Sequence, residues 1–188
     1  MRFLPLVLLV LLLGCGQDVN QAEPAAAMTT QDADADVEAR LQALGIELPN
    51  PPPPVANYVR SVQTGNLVFL AGHGPLKPEG GYVTGKVGQD LTIEQGYEAA
   101  RLTGIALLAS LKAEIGDLNK VTRIVKVLGM VNATEGFTEQ PQVINGFSDL
   151  IVEVFGEARG KHARAAVGMA SLPINIAVEI EMVVEVAD

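Results

Sequence analysis

Apolar residues recur through the middle of the chain with the three- and four-residue spacing of a helix. The stretch between Thr92 and Gly116 carries seven such positions on one face. They are Ile93, Tyr97, Ala100, Gly104, Leu107, Leu111 and Ile115. Thr92 with Gln95 three residues later has the pattern of a capping box, and Gly116 is a typical helix end. The pattern therefore predicts a helix with both ends defined.

A second helix is predicted from Gln140 to Phe155, ending at Gly156. Its apolar positions again follow helical spacing. They are Val143, Phe147, Leu150 and Val154. Between the two helices, the range 120–132 is rich in Val and Ile, which favours one long strand. Ahead of the first helix, Thr64-Gly65-Asn66 is a hairpin signal between two strand-like runs.

The last strand-like segment alternates between apolar and acidic residues except at Val183. Five apolar residues fall on one face, and the glutamates at 179, 181 and 185 fall on the other. The apolar set is Val178, Ile180, Met182, Val184 and Val186. The apolar run 67–70 has no alternation, which predicts a strand covered on both faces. The order β-β-α-β-α-β-β indicates an α+β domain whose single sheet has both main helices on one face. The other face is left to bury against something else, and an oligomer meets that need.

The first residues predict an export signal rather than part of the fold. A short positive start is followed by an apolar run, Phe3 to Leu13, which is too short for a comfortable permanent membrane span. Gly14-Cys15 then resembles a bacterial lipoprotein signal, in which Cys15 becomes the lipidated first residue. A cleaved signal without lipid and an uncleaved anchor are the alternatives. We expect residues 1–15 to be the signal, 16–54 a flexible tether with a short helix and a Pro-rich segment, and 55–188 the domain.

Composition narrows the possible partners and chemistry. A net charge of -9 opposes binding to nucleic acid and to anionic membrane surfaces, so membrane contact is expected only through a lipid anchor. Cys15 is the only cysteine, which excludes a thiol nucleophile in the mature domain. The two histidines, His73 and His162, have no clustered third ligand, so we predict neither a metal site nor a cofactor.

Two stretches of the sequence resemble the RidA/YjgF-like family. "NYVRSVQTGNLVFLAGHGPL" is similar to the start of that domain, and "HARAAVGMASLPINIAVEIE" is similar to its C-terminal signature. "INGFSDLIVEVFGE" fits the second helix of the family. The resemblance covers 55–186 and implies a chorismate-mutase-like fold, assembled as a homotrimer with three clefts between subunits.

The resemblance also assigns roles to five residues. Arg164 stands where the family has its substrate-binding arginine, and a planar guanidinium can hold a substrate carboxylate with two parallel hydrogen bonds. Glu179 stands where the family has a glutamate that positions or activates water. Tyr58, Gly72 and Asn145 match further substrate-binding positions. Alternatively, Arg164 pairs with Glu179 or Glu181 on an adjacent strand, and the other residues are structural.

Three positions depart from the family pattern. Ala71 replaces a serine and Ala166 a cysteine common in active members, while His73 replaces a glutamine. The implied activity is hydrolysis of carboxylate-bearing enamines or imines to 2-keto acids and ammonia. A non-catalytic trimer binding a small carboxylate metabolite at the same clefts is the alternative. The family's older label, endoribonuclease, conflicts with the acidic charge.

Overall fold

The computed structural model describes residues 36–54 and 56–187, which form a five-stranded mixed sheet with helices on one face. The signal with Cys15 and most of the tether lie outside the described residues. The helices are α1 (Val37–Ala43), α2 (Ile93–Ile115) and α3 (Gln140–Gly160), and the strands are β1 (Ser61–Thr64), β2 (Leu67–His73), β3 (Val121–Asn132), β4 (Ala163–Met169) and β5 (Val178–Val186). The predicted order of elements and the α+β class are confirmed.

The strand order in the sheet is β1-β2-β5-β3-β4. All neighbours are antiparallel except β3 and β4, which are parallel. The helix α3 makes the crossover between those two strands, as parallel pairing requires. Because β5 is inserted between β2 and β3, the last strand of the chain lies at the centre of the sheet.

Helices α2 and α3 cover one sheet face, which we call the helix face. The alternate residues of β5 predicted to be apolar and inward, Val178 to Val186, are all buried there. Helix α2 begins and ends as predicted: Gln95 N donates to Thr92 Oγ1 at 3.2 Å, Thr92 N donates to Gln95 Oε1 at 2.9 Å, and Gly116 is the C-cap.

Helix α3 continues beyond the predicted end at Gly156. Gly156 leaves helical geometry with φ 75° and ψ 167°, and a further turn follows to Gly160. Arg159 explains why that turn stays packed, because its guanidinium lies 5.9 Å from the Phe155 ring centroid and is buried. The glycine therefore kinks the helix without terminating it.

The predicted short helix near the start of the described chain is present as α1, and it packs on the core. Val37 and Leu41 are buried. Its N-cap, Asp36, accepts a hydrogen bond from Glu38 N at 3.0 Å, and Glu38 pairs with Lys112 of α2 at 2.8 Å. Among the described residues no helix has both the length and the hydropathy needed to span a membrane.

The second face of the sheet, the open face, is covered by no element among residues 36–54 and 56–187. Val62, Phe69 and Val167 are 54%, 45% and 40% exposed there. The prediction that both faces of the strand at 67–70 are covered is therefore wrong for a single chain. Val68 and Leu70 are buried on the helix face, whereas Phe69 lies on the open face. Proteins in water rarely expose a large contiguous apolar surface unless that surface takes part in an interaction.

Candidate functional site

Arg164 projects from edge strand β4 toward helix α3. Its register partner on β3 is Val127, a fully buried residue of the helix face. The guanidinium Nη1 donates to Asn145 Oδ1 at 2.9 Å and to Ser148 Oγ at 2.9 Å. Asn145 and Ser148 are three residues apart on α3, so they share one helix face. The structure thus brings together two of the predicted site residues, Arg164 and Asn145.

The outer edge of the Arg164 guanidinium is available to a ligand. Both hydrogen bonds that Arg164 makes within residues 36–54 and 56–187 are donated by Nη1. In the same residues no acceptor lies in hydrogen-bonding position to Nε or Nη2, and no carboxylate forms an ion pair with this side chain. The Nε and Nη2 hydrogens form a fork that matches the two oxygens of a carboxylate. This arrangement suits a carboxylate clamp.

The alternative pairing of Arg164 with a glutamate of β5 is wrong for a single chain. Strand β3 lies between β4 and β5, so the two strands are not adjacent. Glu179 pairs in register with Met130, whereas Arg164 pairs with Val127. The side chain of Val127 faces the helices and that of Met130, three positions on, faces away from them.

Glu179 lies on the open face, directly over Gly72. A Cβ added to Gly72 would come within 2.9 Å of Glu179 Cδ and 3.0 Å of its Cγ. Gly72 falls in the irregular stretch between Leu70 and His73, where two residues of β2 stand opposite the single Glu181 of β5. Such a bulge redirects the side chains around it. Gly72 therefore has a structural reason to be glycine: it gives space to the Glu179 carboxyl group.

The environment of Glu179 favours its protonated form. Burial is the main cause that raises the pKa of Glu179, and the neighbouring carboxylate of Glu181 raises it further. A carboxylate whose pKa rises toward neutrality becomes a more effective general base. The pKa of the half-buried Glu179 is thus shifted in the direction that the predicted role calls for.

Tyr58 and Gly72 line a common cavity of about 150 Å³. Tyr58 is 52% exposed, and the predicted Pro-rich segment, 49–54, forms much of the opposite wall. Arg60 fixes that segment by donating from Nη1 to the Pro52 carbonyl at 2.6 Å. Tyr58 therefore shares this cavity with Gly72, whereas Glu179 is not among the residues that line it.

The predicted site residues form two separate groups in one chain. The arginine cluster consists of Arg164 and Asn145, with Ser148 and His162. The glutamate cluster consists of Glu179 and Gly72, and Tyr58 lies on the cavity that Gly72 also lines. From strand spacing and rise, the Arg164 and Glu179 backbones lie about 10 Å apart across the sheet and about 10 Å along it, with side chains on opposite faces. A small metabolite cannot touch both clusters of the same chain.

Sequence reasoning did not select Ser148 and gave His162 no role. His162 Nε2 lies 3.1 Å from Ser148 Oγ, and its Nδ1 lies 2.6 Å from the Gly160 carbonyl. Helical spacing carried a usable signal, since a residue three positions after a candidate ligand on a helix shares its face. His162 likewise stands two residues before Arg164, at the start of a strand.

The departures from the family pattern occupy defined places. Ala166 lies two residues after Arg164, opposite Gly129 and packed against the core. Ala71 and His73 line the cavity beside Tyr58, and His73 bonds to the Ala71 carbonyl and to Ser110 Oγ, each at 2.7 Å. His73 is thus saturated by protein partners. Among the described residues no group of three or more His, Cys, Asp or Glu could hold a metal ion.

Comparison with known proteins identifies the family of this fold and site. A family model described as "YjgF/chorismate_mutase-like, putative endoribonuclease" matches residues 38–186. The chain belongs to the YjgF/RidA family. The match starts within α1, so the YjgF/RidA region includes the short helix and the Pro-rich segment that precede β1.

Two YjgF/RidA relatives and one solved structure show the range of similarity. The chain is 46% identical to Protein TCP17 of Trypanosoma cruzi over 149 residues, covering 79% of this chain and 93% of that protein. It is 30% identical over 139 residues to 2-iminobutanoate/2-iminopropanoate deaminase of Escherichia coli K12, covering 71% and 91%. The crystal structure of Atu1372 from Agrobacterium tumefaciens, described as having unknown function, is 44% identical with a TM-score of 0.73 and coverage of 83% and 95%.

Proposed function

We propose that this YjgF/RidA protein hydrolyses carboxylate-bearing enamines or imines to 2-keto acids and ammonia. The observation that carries the proposal is the Arg164 guanidinium, which is fixed through Nη1 and keeps its Nε/Nη2 fork free of described protein acceptors. A relative that is 30% identical is named as a 2-iminobutanoate/2-iminopropanoate deaminase. The 2-iminobutanoate and 2-iminopropanoate in that relative's name each carry a carboxylate, the group that the Arg164 guanidinium is suited to bind.

The proposed site forms between copies of the chain in a homotrimer. The arginine and glutamate clusters lie on opposite faces of one sheet, so one chain cannot supply both to one small ligand. The apolar open face, with Phe69 at 45% exposed, gives a surface for subunit contact. In the assembly the arginine cluster of one copy meets the glutamate cluster of the next.

In the proposed reaction the Arg164 clamp holds the substrate carboxylate and Glu179 handles the attacking water. An enamine first gains a proton on carbon and loses one from nitrogen, which gives the imine. Water then bonds through its oxygen to the C=N carbon and gives one proton to the Glu179 carboxylate, which passes that proton to the nitrogen to complete the carbinolamine. In the collapse Glu179 moves the hydroxyl proton to the nitrogen, the C=O double bond forms, the C–N bond breaks and ammonia leaves with Glu179 again ionised. The raised pKa of Glu179 suits this proton transfer.

The replacements at Ala71 and Ala166 are compatible with hydrolysis by water, because no step requires a thiol or hydroxyl nucleophile. They favour one alternative, a non-catalytic trimer that binds a carboxylate metabolite at the same clefts. A lost hydroxyl removes one hydrogen bond to substrate, worth about 1 kcal/mol. RNA cleavage has less support, since the net charge is -9.

The deciding experiment incubates the mature chain with freshly generated 2-iminopropanoate and follows the release of pyruvate and ammonia. We expect catalysis above buffer, a loss of roughly 100-fold for Arg164→Ala, and a smaller loss for Arg164→Lys, which keeps the charge without the fork. As the control, each Arg164 variant should have the same assembled molecular mass as the wild type. Pyruvate binding without turnover favours the binding alternative, and the absence of both contradicts the proposed function.

We further propose that the protein is exported and anchored to a bacterial membrane through lipid on Cys15, facing the periplasm or the cell exterior. The sequence Leu12-Leu13-Gly14-Cys15 supports this. The full chain expressed in bacteria is expected to incorporate labelled palmitate and to sediment with membranes. Cys15→Ser removes both properties if the proposal is right.

A further inference from the structure

Ser148 and His162 connect Arg164 to the backbone at the end of helix α3. Arg164 Nη1 lies 2.9 Å from Ser148 Oγ, Ser148 Oγ lies 3.1 Å from His162 Nε2, and His162 Nδ1 lies 2.6 Å from the Gly160 carbonyl. These three contacts form one continuous chain. It ends on a carbonyl group, which can only accept a hydrogen bond.

The Gly160 carbonyl determines which atom carries the hydrogen at each contact in this series of hydrogen bonds. Because Gly160 O accepts, His162 Nδ1 must carry a hydrogen, and in the neutral ring Nε2 is then an acceptor. Ser148 gives its hydroxyl hydrogen to Nε2, so the lone pairs of Ser148 Oγ are left for Arg164. The neutral Nδ1–H tautomer of His162 thus orients the Ser148 hydroxyl to accept from the guanidinium.

The packing around His162 keeps its ring fixed. The Phe147 ring meets it edge-on, with centroids 5.9 Å apart and planes at 73°. Burial is the main cause that lowers the pKa of His162, and the positive charge of Arg164 lowers it further, whereas the Gly160 contact acts in the opposite direction. The exposed neighbour Lys161 forms an ion pair with Glu157, with Nζ 2.7 Å from Oε2. Within the described part of the chain, Arg164 is the charged side chain that acts on the His162 ring.

We propose that Ser148 and His162 are positioning residues that hold the Arg164 guanidinium with its Nε/Nη2 fork turned toward the substrate carboxylate. This inference rests on the proposed function and deepens it. Asn145 alone would leave Nη1 with one protein acceptor and the guanidinium free to rotate about that contact. Two acceptors on one helix face fix both the position and the plane of the fork.

Acid conditions are expected to loosen this arrangement. A protonated His162 donates from both nitrogens, so Ser148 Oγ then faces two donors, Nε2 and Arg164 Nη1. The new positive charge also repels the guanidinium. Carboxylate affinity should consequently fall as the pH drops below the ordinary histidine range, near 6.5.

The described residues contain a second histidine–serine pair, His73 and Ser110, whose serine is not hydrogen-bonded to an arginine, although Arg60 lies close enough to lower the pKa of His73. His73 contacts the Ala71 carbonyl through Nδ1 and Ser110 Oγ through Nε2, each at 2.7 Å. The pKa of His73 is also lowered, mainly by burial. Ser110 lies on α2 and makes no contact with Arg164, so Ser110→Ala removes an equivalent serine without touching the clamp.

The first measurement is the affinity of the mature trimer for pyruvate, by titration calorimetry from pH 5 to pH 8. We expect Ser148→Ala to weaken binding about 10-fold at pH 7.5. His162→Gln, whose amide oxygen can still accept from Ser148, should stay within about 3-fold at pH 7.5 and lose the decline on the acid side. Ser110→Ala should keep the acid-side decline of the wild type.

The second measurement needs no ligand. Nitrogen-15 NMR reports the His162 tautomer and the rotation of the Arg164 guanidinium. We expect the Nδ1–H tautomer, and faster guanidinium rotation in Ser148→Ala than in wild type. The proposal is overturned if His162 carries its hydrogen on Nε2. It is also overturned if Ser148→Ala leaves both the rotation of the Arg164 guanidinium and the pH dependence of pyruvate affinity as in wild type. If wild type neither binds pyruvate at any pH nor hydrolyses 2-iminopropanoate, the proposed function fails, whereas the NMR result still decides the positioning roles.

Discussion

The two faces of the sheet are built from the same strands but meet the rest of the chain differently. On the helix face, α2 and α3 close over the alternate residues of β5, all of which are buried. On the open face, Val62, Phe69 and Val167 stay 40% to 54% exposed. Arg164 belongs to the first face and Glu179 to the second. The comparison shows that one face carries the core of the chain, whereas the other stays exposed and is the face on which we propose subunit assembly and half of the site.

The largest expected effect is on the helix face, from Gly146→Ala. A Cβ at residue 146 would overlap the backbone carbonyl of Tyr97 on α2, and backbone atoms cannot move aside. We expect the free energy of unfolding to fall by about 3 kcal/mol or more, measured by denaturant titration. Gly104→Ala is the control: its Cβ meets a Leu150 methyl at 2.7 Å, which can shift, so the loss should be smaller.

The next effect concerns the open face. Phe69→Glu places a charge on the apolar surface that we propose for subunit contact. Burying an unpaired carboxylate costs several kcal/mol, so we expect the trimer dissociation constant to rise at least about 100-fold. Sedimentation at equilibrium measures the change, with circular dichroism to show that the subunit stays folded. Ala113→Glu, at an exposed position on α2, adds the same charge elsewhere. A Phe69→Glu trimer of wild-type strength contradicts the assembly proposal.

A smaller effect on stability, but a clear one on rate, is expected for Gly72→Ala. The new methyl group displaces the flexible Glu179 carboxyl, which lies half-exposed and can rotate away. We therefore expect a stability loss within about 1 kcal/mol and a fall in imine hydrolysis of about 10-fold. The matched variant Gly74→Ala meets Ile176 and Tyr82 at 3.1 and 3.3 Å instead. Equal rates for both variants would count against a catalytic position for Glu179.

The smallest expected effect is the change in stability from Glu179→Gln. The folded-state pKa of Glu179 is raised, so folding is penalised once pH exceeds the ordinary glutamate pKa and the penalty is complete above the raised value. Removing the ionisable group should stabilise the subunit at pH 7 by about 0.5 kcal/mol, a modest figure because solvent screens a half-exposed charge. The variant and wild type should converge at pH 4. A difference independent of pH would assign the effect to packing.

The elements that sequence predicted well are those whose signals are local. The capping box at Thr92 and Gln95, the Gly116 end and the alternation of β5 each depend on residues within a few positions of one another. The end of α3 was predicted less well. Gly156 is a typical helix terminator, but the packing of Arg159 on Phe155 keeps a further turn in place.

The sequence pointed to candidate site residues but not to their arrangement. Arg164, Glu179, Tyr58, Gly72 and Asn145 were selected by resemblance. Their division into two clusters depends on β5 entering between β2 and β3, which no local pattern encodes. Ser148 was missed because its role comes from its distance to Arg164 and not from its own neighbours.

The sequence by itself determined the order of helices and strands and the helix-facing side of β5, because periodicity and capping act over short ranges. Its resemblance to the RidA/YjgF family pointed to the candidate site residues. The tertiary structure decided that Arg164 and Glu179 lie on opposite faces, that Glu179 sits over Gly72, and that a serine and a histidine hold the guanidinium. These relations join residues up to 107 positions apart, as for Gly72 and Glu179. Only strand order and helix packing bring such residues together.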